Sequence, residues 1–138
     1  MHIYHSHCLT YSPPFVMVLR AYAELVEKGW SPPELPFNNT TPVVWVQDEQ
    51  GRVIGTLVYY TDKPRRLGYQ LFIYVNPEHR NKGIGQALVD EVCERIRNEG
   101  GDRLIRSIHV DNKAPLSVIG ESKATMMRYE LDLTKKAE

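Results

Sequence analysis

Apolar positions recur along this chain with two periods, and the switches between them lay out an order of elements. Residues 2–9, His-Ile-Tyr-His-Ser-His-Cys-Leu, alternate and predict a first strand. Ser12-Pro-Pro-Phe15 reads as a helix cap followed by proline in the first turn. Phe15, Val18, Leu19, Tyr22, Leu25 and Val26 then recur at helical spacing until Gly29 ends the pattern. Segment Trp30–Pro42 carries four prolines and two aromatics, so neither a helix nor a central strand fits it.

Pro42–Val46 and Arg52–Tyr60 flank the turn Asp48-Glu-Gln-Gly51 and predict a hairpin. After a polar connection over 61–67, Gly68–Val75 is a third long strand, and the three in succession predict antiparallel pairing. A helix is expected from about 83 to 98. Its stripe is Ile84, Leu88, Val92 and Ile96, widened by Val89 and Cys93, and Gly100-Gly101 stops it. Leu104–Val110 reads as a strand, Ala114–Glu121 as a short helix and Thr125–Leu133 as a last strand. The sum is an α+β fold: one domain over 1–138, with a mixed, mostly antiparallel sheet of about six strands flanked by helices. One strand–helix–strand unit is embedded in it.

Composition narrows the classes of partner. With 17 basic and 17 acidic residues the formal net charge is zero, so no global field draws the chain to nucleic acid or to a membrane surface. No apolar run of about 18 residues is present, and no secretory leader is visible at the first residues. Two cysteines, Cys8 and Cys93, are too few for a disulfide framework and read as reduced thiols, so a cytoplasmic location is expected. His2, His5, His7 and Cys8 crowd one segment, but no second ligand pair at metal spacing follows, and no metal is expected.

The chemistry concentrates in Val75-Asn-Pro-Glu-His-Arg-Asn-Lys-Gly-Ile-Gly-Gln-Ala-Leu88. An aromatic-rich strand breaks at a proline, and a basic, glycine-bearing loop opens onto an amphipathic helix. That order builds an anion site, because glycines let backbone amides approach phosphate oxygens and the helix N-terminus adds partial positive charge. The dinucleotide-binding G-x-G-x-x-G is absent, since position 88 is leucine, and so is a P-loop.

Arg80-Asn-Lys-Gly-Ile-Gly85 after a Val-x-Pro strand end resembles the acetyl-CoA pyrophosphate loop, R/Q-x-x-G-x-G/A, of the GNAT superfamily of N-acetyltransferases. Asn112 resembles the asparagine that those enzymes place beside the pantetheine arm. The order of elements fits over nearly the whole chain, and the likeness is sharpest from 71 to 112. The resemblance implies a three-layer α/β arrangement and acetyl-CoA as cosubstrate. Arg80, Asn81, Lys82, Gly83, Ile84, Gly85 and Gln86 would surround the pyrophosphate, the amides of 82–86 binding it. Main-chain groups of Ile73, Tyr74 and Val75 would pair with the pantetheine as with an added strand. An amide near Val75 would stabilise the thioester oxyanion.

The chain departs from the family where a tyrosine usually protonates the leaving thiolate. That position is Ile119, the preceding alanine position is Pro115, and no Gly-Phe follows. Ser117 and Tyr129 are the nearest hydroxyl substitutes. His109 is the candidate base, with a hydrogen-bonded strand histidine as its plainer reading. Tyr59, Tyr60, Tyr69 and Tyr74 supply aromatic and hydroxyl groups near the expected cleft, or simply pack. The Trp30–Pro42 loop either recognises an acceptor or covers the sheet edge.

The expected activity is transfer of acetyl from acetyl-CoA to a primary amine, small molecule or protein, in a ternary complex. The alternative is a catalytically silent acyl-CoA-binding module acting on a protein partner, which the missing Tyr and Gly-Phe motif suggests. Nucleic-acid binding is not expected. Dimers are common among resembling proteins, and Thr125–Leu133 is the strand available for pairing across an interface.

Overall fold

The computed structural model describes residues 1–29, 40–109 and 126–134. Among them a six-stranded sheet runs in chain order: β1 (Tyr4–Ser6), β2 (Val43–Gln47), β3 (Val53–Asp62), β4 (Leu67–Val75), β5 (Arg103–His109) and β6 (Met126–Asp132). All neighbours are antiparallel except β4 and β5, which are parallel and joined by α2 (Ile84–Asn98). The other described helix is α1 (Phe15–Glu27). The expected mixed sheet with one strand–helix–strand unit is therefore present. The predicted helix over 114–121 lies outside the described residues.

Strand alternation sorts the core into two layers. In β2, Val44 and Val46 face α2 while Val43 and Trp45 face α1. The α2 layer joins Ile54, Leu57, Tyr59 and Leu104 to Ile84, Leu88, Val89, Val92, Cys93 and Ile96, the stripe that the periodicity predicts. On the other face Leu9, Val18, Ala21, Val58 and Phe72 close a smaller cluster. Helix α2 sits close to the sheet because glycines lie beneath it. A Cβ on Gly55 would come within 2.9 Å of Ile84 Cγ2, and one on Gly68 or Gly101 would overlap the Ile96 side chain.

Two one-residue bulges reset this alternation. The β2–β3 register skips Ile54, and the β3–β4 register skips Leu71, since Val58 faces Phe72 while Tyr59 faces Gln70. Leu71 and Phe72 consequently both point to the α1 layer, and Ile73 and Val75 point to α2.

Two local expectations are corrected. The first strand is three residues long, because the chain turns into a short 3-10 helix at Leu9–Tyr11 that is tied by the Leu9 amide to Thr41 O at 2.9 Å. Ser12 does not cap α1; its hydroxyl donates to the Cys8 carbonyl, and the helix begins after Pro14 with no side-chain cap. Gly29 ends α1 as predicted, at φ +76°.

Of the N-terminal histidines, His5 is partly buried and packs on the sheet, while His2 and His7 are exposed. His5 Nε2 and the Tyr59 hydroxyl share a 3.1 Å hydrogen bond on the α2 face, and the His5 and His7 rings meet edge to face. Among the described residues no group of three or more His, Cys, Asp or Glu side chains is placed to hold a metal ion. Burial, and then Arg95 and His7, push the His5 pKa from 6.5 to about 4, against a weaker opposing pull from Glu99; burial raises Tyr59 to about 12. His5 is therefore neutral in the folded protein at pH 7.

Because the unfolded chain binds a proton that folded His5 does not, stability falls as pH drops from about 6.5 toward 4. Denaturant midpoints at pH 7.5 and pH 5 measure the loss. His5→Gln is expected to flatten that slope, and an unchanged slope would show that other groups carry it.

Candidate functional site

Strand β4 has two unequal neighbours. It pairs with β3 along its whole length, from Asp62 opposite Leu67 to Gly55 opposite Val75. It pairs with β5 only from Leu67–Arg103 to Gln70–Arg106. Beyond that point, one residue before the Leu71 bulge, the strands part, while β5 continues to His109 in partnership with β6. Among the described residues, the β5-facing edge of Leu71–Val75 has no strand partner.

The register decides which main-chain groups line this slot. The Asn76 amide donates to Ile54 O at 2.9 Å, which makes Gly55–Val75 a pair without mutual hydrogen bonds. Antiparallel pairs alternate, so Val75 and Ile73 direct their N–H and C=O groups into the slot, and Tyr74 directs its own toward Thr56 of β3. The expectation of a row of three is thereby corrected: Ile73 and Val75 offer main-chain groups there and Tyr74 does not. The Tyr74 side chain instead lies in the α1 layer.

At the open end, the turn Pro77–His79 leads into Arg80–Gly83 and the start of α2. Asn81 and Gly83 have φ of +63° and +82°, the left-handed region that asparagine tolerates and glycine favours. The first helical bond is Ala87 N to Gly83 O, which leaves the amides of Gly83, Ile84, Gly85 and Gln86 without intrahelical acceptors. No side chain caps this end and no acidic residue sits in the first turn. An incoming anion meets no internal competitor. A Cβ on Gly85 would lie 3.9 Å from both Ile73 Cδ1 and Val75 Cγ2, ordinary contact, so packing does not demand glycine here. The Gln86 side chain turns away to Asp90, and Lys82 is exposed.

Arg80 does not reach toward the helix amides. Its Nε donates to Val75 O at 2.9 Å, and its guanidinium carbon stands 5.4 Å from the centre of the Tyr74 ring. The Tyr74 hydroxyl donates to Glu24 of α1 at 3.3 Å. Partial burial and then the Glu24 charge raise the Tyr74 pKa, so at neutral pH this phenol is a proton-bearing donor. Glu24 was missed in the sequence because 50 residues separate it from its partner. At the closed end, Arg106 Nε donates to Gln70 Oε1 at 2.9 Å, a second pair that local pattern does not announce.

The other candidates are placed by backbone alone or not at all. His109 ends β5 on its diverging half, paired with Met126, and Tyr129 of β6 stands opposite Arg106. Asn112 and Ser117 lie outside the described residues, as do Pro115, Ile119 and the loop over 30–39. Of the remaining tyrosines, Tyr59 is bonded to His5 in the core, and Tyr60 stacks on Tyr69.

Comparison with known proteins gives one family. Residues 5–117 match the model described as the acetyltransferase (GNAT) family. An acetyltransferase of Sodalis glossinidius, SG1711, is 24% identical over 113 residues, covering 79% of this chain and 78% of that one. Among solved structures, a ribosomal-protein-alanine N-acetyltransferase from Brucella melitensis superposes with a TM-score of 0.66 at 20% identity, over 96% of this chain and 99% of that one. N-acetylglutamate synthase from Neisseria gonorrhoeae, solved with coenzyme A and N-acetyl-glutamate, gives 0.65 at 15% identity over 86% of this chain. The present chain spans only 27% of that longer protein.

The two glycine environments separate structural from site roles. Gly85→Ala is expected to leave the free protein as stable or up to about 1 kcal/mol more stable, through helix propensity. Gly55→Ala is expected to destabilise by about 1–3 kcal/mol, because Ile84 must shift. Urea denaturation of both variants checks the contrast.

Proposed function

The chain belongs to the acetyltransferase (GNAT) family, and from that premise we propose that it transfers acetyl from acetyl-CoA to a primary amine within a ternary complex. The observation that carries the reading is the slot: a strand edge presenting Ile73 and Val75, leading to four unpaired amides at the start of α2. A pantetheine amide chain suits the edge, as an added strand would. A pyrophosphate suits the helix start, where N–H donors and the dipole act together.

The residues present divide the chemistry as follows. The amine nitrogen attacks the thioester carbon, the C–N bond forms, the C–S bond breaks, and the CoA sulfur receives the proton that the amine loses. An N–H from the open edge of β4, Ile73 or Val75, donates to the carbonyl oxygen as charge develops on it. On the α1 face, the Tyr74 hydroxyl bonded to Glu24 is a proton donor beside the slot, in a chain whose usual tyrosine position is Ile119. His109, Ser117 and Tyr129 remain proposals for acid–base work, and Asn112 remains a proposal for the pantetheine arm.

Direct transfer is supported by the cysteines. Cys93 is buried among core residues of α2, and burial raises its thiol pKa, which disfavours the nucleophilic thiolate. Cys8 follows β1, three strands from β4, or roughly 14 Å across the sheet. Cys8 is too far from the slot to hold an acyl group taken from it, and Cys93 is disfavoured by its buried, protonated thiol.

Thermal shift with acetyl-CoA, free CoA, desulfo-CoA and ATP tests the reading. A ligand at 100 times its Kd adds about 2.7 kcal/mol, a rise of several degrees for a domain of this size. The CoA series is expected to stabilise the protein and ATP much less, with the effect lost in Gly85→Glu. No shift with any CoA would overturn the reading. Binding without thiol release from an amine panel would favour the silent acyl-CoA-binding module.

A further inference from the structure

Two arginines stand at the ends of the slot, and they are held alike. Arg80 at the mouth donates Nε to a backbone carbonyl, and Arg106 at the closed end donates Nε to a side-chain amide. Both acceptors are neutral. Of the seven other arginines whose side chains are described, six are in ion-pair reach of an aspartate or glutamate, namely Arg52, Arg65, Arg66, Arg95, Arg97 and Arg103, and the seventh, Arg20, is an exposed residue of α1. Among the described residues, no carboxylate is in reach of Arg80 or Arg106. Arg80 spends its guanidinium on Val75 O and the Tyr74 side chain, whereas Arg106, with Nε tethered to Gln70, has among the described residues no carboxylate for its terminal N–H fork, whose planar geometry suits carboxylate and phosphate.

Arg106 is the more telling of the two because it is half-buried. It shares the α2 face with Leu104, two residues earlier on β5, and pairs across the last β4–β5 rung with Gln70. A guanidinium taken partly out of water, with no carboxylate in reach among the described residues, is costly unless something charged meets it. Burial lowers its pKa, in keeping with that cost. The position is also informative. Gln70 to Val75 is five residues, roughly 16 Å of strand, so Arg106 lies at the end of the slot away from the start of α2, beyond the Ile73 amide that faces it.

We propose that Arg106, oriented by Gln70, is a specificity determinant that binds a carboxylate carried into the closed end of the slot. The inference rests on the acyl-CoA reading of that slot and narrows it to anionic substrates. The carboxylate belongs either to the acceptor, as in an amino acid, or to the acyl group, as in a dicarboxylic mono-thioester.

Two arms distinguish these sources. In the first, thiol release from acetyl-CoA is followed with free amino acids and with their C-terminal amides. In the second, calorimetry compares succinyl-CoA with acetyl-CoA. In one arm the carboxylate form is expected to be favoured by about 10- to 100-fold, in kcat/KM or in affinity, as befits a charged hydrogen-bonded pair. Arg106→Gln is expected to abolish that preference, and Arg106→Lys to retain part of it. A thermal shift of each variant with free CoA reports that fold and slot are intact, and the wild-type comparison stands even where a variant does not fold. If acetyl-CoA binds and neither arm shows a preference, or the preference survives in Arg106→Gln, the inference is overturned while the acyl-CoA reading stands. If neither thioester binds the wild type, both are overturned.

Discussion

One extra residue in β4 governs the architecture of the site. Leu71 has no opposite number in β3, so the strand bends there and its faces exchange. Pairing with β5 ends on the residue before it, at Gln70. A regular strand would keep β5 alongside to its end and leave no slot. With the bulge, Ile73 and Val75 turn their side chains under α2 and their main-chain groups into the gap, while β3 holds the other edge. The same parity change brings Tyr74 into the α1 layer, within reach of Glu24. Slot, edge donors and the aromatic flank are thus one geometric event.

Helix α2 depends on the sheet in a second way. Its N-terminus can present free amides at the end of β4 only if the helix lies near the strands. Gly55 beneath Ile84 and Leu88, and Gly68 beneath Ile96, permit that approach. Gly83 and Gly85 do different work, since neither is crowded by its neighbours. The chain therefore uses glycine for close packing in one place and, at Gly83, for the left-handed backbone that opens α2 in the other. A single residue type conceals two functions that only the surroundings separate.

Much of this was legible in the sequence because it is local. The α2 stripe, the hairpin around Asp48–Gly51 and the stop at Gly100 each rest on neighbours within a few residues, and the proposal of an anion site over 80–86 rests on equally local composition. What escaped detection is long-range or one residue in size. The Glu24–Tyr74 and Gln70–Arg106 pairs join elements 50 and 36 residues apart. A bulge leaves almost no mark in an alternation that both of its flanks obey. The assumption that three consecutive residues of β4 serve a ligand failed for that reason: strand chemistry comes in every second residue, and the register fixes which. The resemblance to a family supplied the ligand class, but the family's own acid position, here Ile119, gave no guide to what replaces it.

The edge of β4 that has no strand partner among the described residues also has a meaning for the protein as a material. Leu71-Phe-Ile-Tyr-Val75 is rich in the β-branched and aromatic residues that template strand addition between chains, and exposed edges of this kind are the usual starting points of aggregation. Arg80, planted on the last carbonyl of that edge, is the charged guard that blunts it. On the proposed reading, a ligand lying along the edge would complete the protection, so binding would serve colloidal stability as well as chemistry.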